Sequence, residues 1–159
     1  MKTFKRSIFI KSLLLVLVVA FLGSCKKDSD DGDGGDIGSG KGTFTLKGTT
    51  YSGVCQSIPA TSGVSGNIDV IIATTSGASF TVYNMPTGSG GTSNVVNFDE
   101  ATGFSSKLYA ICVPNTNNVG YASTGGTVTK TGSSSYKFSI NMIDLTTDER
   151  VTITGSGEY

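Results

Sequence analysis

Apolar and polar residues alternate with a period of two along much of the chain. In residues 136–142 every second residue is Tyr, Phe, Ile or Met, and the residues between them are polar. The same alternation recurs in residues 67–72, 79–82 and 151–154. Successive side chains of a β-strand point to opposite faces, so this pattern predicts antiparallel strands with one face in a core and the other in water.

Clusters of Gly, Asn, Ser and Asp separate these runs at short intervals and predict turns. Short strands at such spacing are typical of an all-β fold, for which we expect an antiparallel β-sandwich. A small closed β-barrel is the alternative, since nothing in the pattern decides whether the sheet closes. The segment 108–113 lacks polar alternation and predicts a central strand buried on both faces. About nine strands are predicted, at residues 43–47, 49–56, 66–74, 79–84, 93–98, 107–113, 120–131, 135–144 and 149–155.

The composition of residues 42–159 supports strands throughout. This part holds ten Val and eight Ile against three Leu, together with twenty Thr. Side chains branched at Cβ lose χ1 freedom in a helix and pack well on a pleated sheet. We therefore expect residues 42–159 to form one β-domain without substantial helix.

The N-terminal residues carry the features of an export signal. Basic residues precede and flank an apolar run at residues 13–22, which is too short to cross a bilayer of about 30 Å as a helix. We expect residues 1–24 to be a signal peptide. The sequence Leu22-Gly-Ser-Cys25 that ends it resembles the bacterial lipobox. This resemblance implies that Cys25 carries a lipid and anchors the protein to a membrane.

Residues 25–41 contain five Asp and many Gly but almost no apolar side chain, which predicts a disordered tether. Without residues 1–24 the chain has eight basic and twelve acidic side chains, a net charge of −4. The acidic run after Cys25 resembles the surface-export signal of lipoproteins from the Bacteroidota. It implies display on the outer face of the outer membrane. The alternatives are a plain solvated spacer and a location on the periplasmic face.

Over its whole length the chain resembles the small exported lipoproteins of unknown function that the Bacteroidota encode. The shared features are the lipobox at Cys25, the acidic Gly-rich tether, a first strand near residues 42–51 and a closing hairpin near residues 126–155. The resemblance implies a cellular location and an all-β fold. It carries over no substrate and no catalytic residue.

The composition excludes several chemistries. The chain has no His, so it lacks imidazole-based nucleophilic sites and the HExxH zinc motif. The chain has no excess of positive charge, so its composition does not indicate a nucleic-acid partner. We assign no catalytic residue, metal or cofactor. We expect a non-enzymatic binding or structural domain. An accessory subunit of an envelope complex and a carboxylate-dependent hydrolase are the alternatives.

Two kinds of residue are candidates for a site. Tyr83 and Tyr121 lie at predicted strand ends, where aromatic rings can bind a ligand such as a glycan or an envelope protein. The competing interpretation is that these rings belong to the core. Cys55 and Cys112 are both exported to an oxidising compartment if the signal is used. A disulfide between them would contribute about 4 kcal/mol, and two separate buried thiols are the alternative.

Overall fold

The computed structural model describes residues 39–61, 65–88, 90–101, 107–115 and 120–159. These ranges hold nine β-strands and one short 3-10 helix, Phe98–Ala101. The predicted signal peptide, the tether up to residue 38 and the lipidation site Cys25 lie outside the described residues. The strands are β1 Ser39–Leu46, β2 Thr49–Pro59, β3 Asn67–Ala73, β4 Ser79–Pro86, β5 Gly91–Asn94, β6 Tyr109–Val113, β7 Tyr121–Lys130, β8 Ser135–Asp144 and β9 Arg150–Glu158.

Eight of these strands form a closed antiparallel barrel. Around the barrel the order is β1-β2-β3-β4-β6-β7-β8-β9, and β9 pairs again with β1. β5 is an additional strand that pairs with the second half of β7. The all-β prediction is confirmed. The sheet is closed, however, so the structure has the barrel that was the alternative and not the sandwich that the sequence favoured.

Closure combines hairpins between consecutive strands with one pairing between the first strand and the last. β7 pairs with β8 from Tyr121↔Asp144 to Lys130↔Tyr136, which is the whole length of β7. β1 pairs with β2 on one side and with β9 on the other. Neighbouring strands therefore satisfy the backbone groups that an open sheet would expose at its edges.

Glycines inside strands allow the sheet to bend into a barrel. A Cβ built on Gly53, Gly126 or Gly155 would overlap a carbonyl oxygen of the adjacent strand. The backbones approach more closely at these positions than a side chain permits. Such glycines are the usual sites of strong curvature in small barrels.

The barrel interior is a packed core. Aromatic rings dominate it: the ring centroids of Phe80 and Phe138 are 4.5 Å apart, and those of Phe44 and Phe80 are 5.8 Å apart. In β6, Ala110 and Cys112 belong to this core. An eight-stranded barrel has just enough room for side chains to fill it. Other fully buried members are Val70, Ile72, Val82, Tyr136, Ile140, Met142 and Ile153.

The predicted burial of residues 108–113 on both faces is confirmed except at Ile111, which is only partly buried. Tyr109 lies on the outer face of the barrel wall, packs against Phe98 of the 3-10 helix and is 3% exposed. Ile111 packs against the same outer group. Because Val96, Phe98 and Ala101 pack against this part of the wall, β6 is covered from outside as well as inside.

The two ends of the barrel differ in what they contain. We call the end where β1 begins, at Ser39, the near end, and the opposite end, with the β1–β2 and β8–β9 hairpins, the far end. β1 begins three residues before the expected domain start at Gly42, because Gly40 and Lys41 already pair with β2.

Among the described residues, no helix has the length and apolar character needed to cross a membrane.

Candidate functional site

The first predicted ligand-binding residue, Tyr83, belongs to an aromatic cluster on the outside of the barrel wall. Tyr83 of β4 and Tyr109 of β6 are register partners, and their rings stack with centroids 4.5 Å apart. The rings of Phe98, in the 3-10 helix, and Tyr109 are packed edge to face, with centroids 5.7 Å apart. We call Tyr83, Phe98 and Tyr109 the outer aromatic cluster. Tyr83 is only 7% exposed, so its ring is covered rather than presented.

A buried carboxylate lies close to the outer aromatic cluster. Asp69 of β3 is 1% exposed, and it accepts hydrogen bonds from the backbone N–H and hydroxyl of Thr61 at 2.9 and 2.7 Å. Its other oxygen accepts the backbone N–H of Asn84 at 3.0 Å. A buried carboxylate needs such donors, and here they come from two neighbouring segments. Asp69 therefore connects Thr61, which follows β2, to Asn84 near the end of β4 through hydrogen bonds.

Asn84 has an unusual backbone conformation at this point. It is buried and has φ 60, in the left-handed region where Asn is tolerated better than most residues. Its side-chain Nδ2 donates to the carbonyl of Lys107, and its own carbonyl accepts from Nδ2 of Asn67. These bonds hold a conformation that costs about 1 to 3 kcal/mol. Sequence analysis did not single out Asn84, although an Asn inside an apolar strand was a usable signal.

The surroundings shift the acidity of the two tyrosines in the cluster. Burial raises the pKa of Tyr83 to about 12, and the negative charge of Asp69 acts in the same direction. Burial also raises the pKa of Tyr109, with smaller contributions from Tyr83 and Asp69. Both hydroxyls therefore stay protonated at physiological pH and act in hydrogen bonds as neutral groups.

The second predicted residue, Tyr121, lies inside the barrel at the far end. It is 4% exposed, and the ammonium group of Lys47 lies 5.8 Å from its ring centroid. Burial raises the pKa of Tyr121, and Lys47 acts against this effect. Lys47 also pairs with Glu149, which raises the pKa of the lysine and connects the β1–β2 and β8–β9 hairpins. Tyr121 therefore lies beneath a charged pair and not at an open surface.

Asp144 completes the group at the far end. It is a buried residue at the end of β8, and its Oδ1 accepts the backbone N–H groups of Thr146 and Thr147 at 2.7 and 3.1 Å. Burial alone would raise the pKa of Asp144, but these donors outweigh it, so the pKa is lowered. Asp144 thus remains ionised and fixes the turn that leads into β9.

The structure does not bring Tyr83 and Tyr121 together. Tyr83 lies outside the barrel wall beside β6, whereas Tyr121 belongs to the interior core. The sequence-based search also missed Lys130, which is 8% exposed at the near end. Its ammonium group donates to the carbonyls of Thr87 and Ser133 and to the hydroxyl of Tyr159. These three hydrogen bonds connect the residue after β4, the β7–β8 turn and the residue after β9 at the near end.

The two cysteines of the β-domain are free thiols, and both are buried. Register pairs connect Cys55 to Cys112 through Ile72 and Phe80, which places three strand-to-strand steps between them. Three steps of about 4.8 Å place the two residues roughly 14 Å apart along the curved wall, on strands that are not neighbours in the barrel. A disulfide needs Cα atoms within about 7 Å. The structure therefore has the arrangement of two separate thiols.

Burial keeps both thiols unreactive. It raises the pKa of Cys112, and it raises the pKa of Cys55 despite a contact of 3.6 Å between Cys55 Sγ and the hydroxyl of Tyr136. A thiol with a raised pKa is a poor nucleophile because little thiolate is present. We assign neither cysteine a catalytic role.

Thiol counting tests this arrangement. The Cys25→Ala protein, purified without reductant, is expected to show two free thiols in denaturant and almost none under native conditions, because both are covered until unfolding. A thiol-specific chromogenic reagent gives both counts, and prior reduction of a parallel sample is the control. A rise from zero to two thiols upon reduction would instead demonstrate a disulfide between Cys55 and Cys112.

The described residues offer little for metal or acid–base chemistry. In ranges 39–61, 65–88, 90–101, 107–115 and 120–159, no group of three or more Cys, Asp or Glu residues could hold a metal ion.

No protein-family model matches the chain, and no curated protein or solved structure is significantly similar to it. The fold defines the class of protein: a small closed antiparallel β-barrel with one extra strand.

Proposed function

We propose that this protein is a lipid-anchored, surface-exposed lipoprotein of the outer membrane whose barrel is a non-enzymatic binding or structural domain. The observation that carries the proposed binding or structural role is that side chains fill the interior of the barrel. Phenylalanine, tyrosine, methionine and aliphatic side chains fill it, in place of a ligand. A partner would therefore bind to the outside of the wall or to the loops.

The buried acids support a non-enzymatic role. A hydrolase that uses two carboxylates needs both near the reacting bond. Asp69 is held on the outside of the wall near β4, and Asp144 is held at the far end by the backbone of Thr146 and Thr147. Both carboxylates are committed to backbone donors in separate places, which favours structural roles over catalytic ones.

The position of β1 supports an anchor at Cys25. β1 starts at Ser39, fourteen residues after Cys25. The thirteen residues between them would reach about 45 Å when fully extended and about 20 Å on average as a flexible Gly-rich chain. Such a tether would join the barrel at the near end, where β1 begins.

Replacing the proposed lipidation site is the direct test. The Cys25→Ala variant is expected to leave the outer-membrane fraction, because it cannot carry acyl chains and keeps only the apolar run at residues 13–22 as a segment that could bind lipid. Fractionation with immunoblotting measures the distribution, and Ser24→Ala is a neighbouring control that leaves the small residue before Cys25 in place. Retention of Cys25→Ala in the outer-membrane fraction at the wild-type level would refute the anchor.

The acidic tether is tested separately, because it concerns the face of the membrane and not the anchor. Protease treatment of whole cells is expected to cleave the wild-type protein. Replacement of Asp28, Asp30 and Asp31 with Ala should leave the protein in the membrane but protect it from external protease. Equal cleavage of both forms would mean that residues 25–38 act only as a spacer and do not direct the protein to the outer face.

A further inference from the structure

We draw no further inference here: the strongest candidate, the second edge of β5, the one described strand that pairs with a single neighbour, belongs to a strand of only 4 residues, and nothing in the structure shows what would cover it.

Discussion

The Gly155→Ala variant is expected to lose about 3 kcal/mol or more of unfolding free energy. A Cβ at this position would overlap the carbonyl oxygen of Thr43 and would lie 2.5 Å from the ring of Phe138. The oxygen belongs to the backbone of β1, which is paired with β9 at this point. It cannot move without breaking the pairing that closes the barrel. Overpacking in a rigid core costs about 1–3 kcal/mol, and a backbone clash belongs at or above the upper limit.

Urea unfolding followed by circular dichroism measures this effect. Gly88→Ala is the matched control, because no atom lies within 4 Å of a Cβ built there. Its unfolding free energy should stay within about 0.5 kcal/mol of wild type, as for most surface substitutions. Similar values for Gly155→Ala and Gly88→Ala would mean that the close approach of β1 and β9 is not required for closure.

Local pattern was sufficient to predict most of the strands, but the predicted strand 93–98 is wrong beyond Asn94, because β5 ends there and the 3-10 helix begins at Phe98. The predicted strand 135–144 coincides with β8, and the predicted strand 107–113 overlaps β6. These segments have clear signals: strict alternation in β8 and an unbroken apolar run at β6. Side-chain direction in a strand depends on the immediate neighbours, so the sequence carries this information locally.

Closure of the sheet could not be predicted in the same way. The pair Gly42↔Gly157 joins residues at opposite ends of the described chain, and a one-sided apolar pattern is the same for a sandwich and for a barrel. Gly155 and Gly157 look like interruptions of a strand in the sequence. In the structure they make room for the rings of Phe138 and Tyr136.

The candidate site was less accessible to sequence analysis than the fold. Tyr83 and Tyr121 were predicted to lie at strand ends, which is correct for Tyr121, the first residue of β7, and wrong for Tyr83, since β4 continues for three residues beyond it. Their burial depends on remote groups, namely Phe98 of the 3-10 helix near Tyr83 and Lys47 above Tyr121.

Alternation likewise gave an incomplete description of Asp69. It alternates with Ile68 and Val70, which predicts a side chain in water on the outer face. The side chain is indeed directed away from the barrel core, yet the residue is 1% exposed. The loop at Thr61 and the end of β4 at Asn84 provide its hydrogen-bond donors. Burial by such segments has no local signal.

The Asp69→Ala variant is expected to lose about 3 to 5 kcal/mol of unfolding free energy. The substitution removes the acceptor for three hydrogen bonds, and it leaves the backbone N–H of buried Asn84 without that acceptor. A buried donor deprived of its partner costs about 1–3 kcal/mol, and hydrogen bonds to a charged group are stronger than neutral ones. Asn84 also depends on this bond to hold its left-handed conformation. The melting temperature should fall by about 10 °C or more.

Two further variants distinguish this interpretation from a general effect of removing an acid. Asp69→Asn keeps one oxygen acceptor but presents an amide to the remaining donors, so it should lose about half as much stability as Asp69→Ala. Glu158→Ala removes an exposed carboxylate from β9 and should change the unfolding free energy by less than about 0.5 kcal/mol. Thermal and urea unfolding of the three variants give the comparison. If Asp69→Ala were no less stable than Glu158→Ala, the bonds from Thr61 and Asn84 would not hold the loop after β2 against β4.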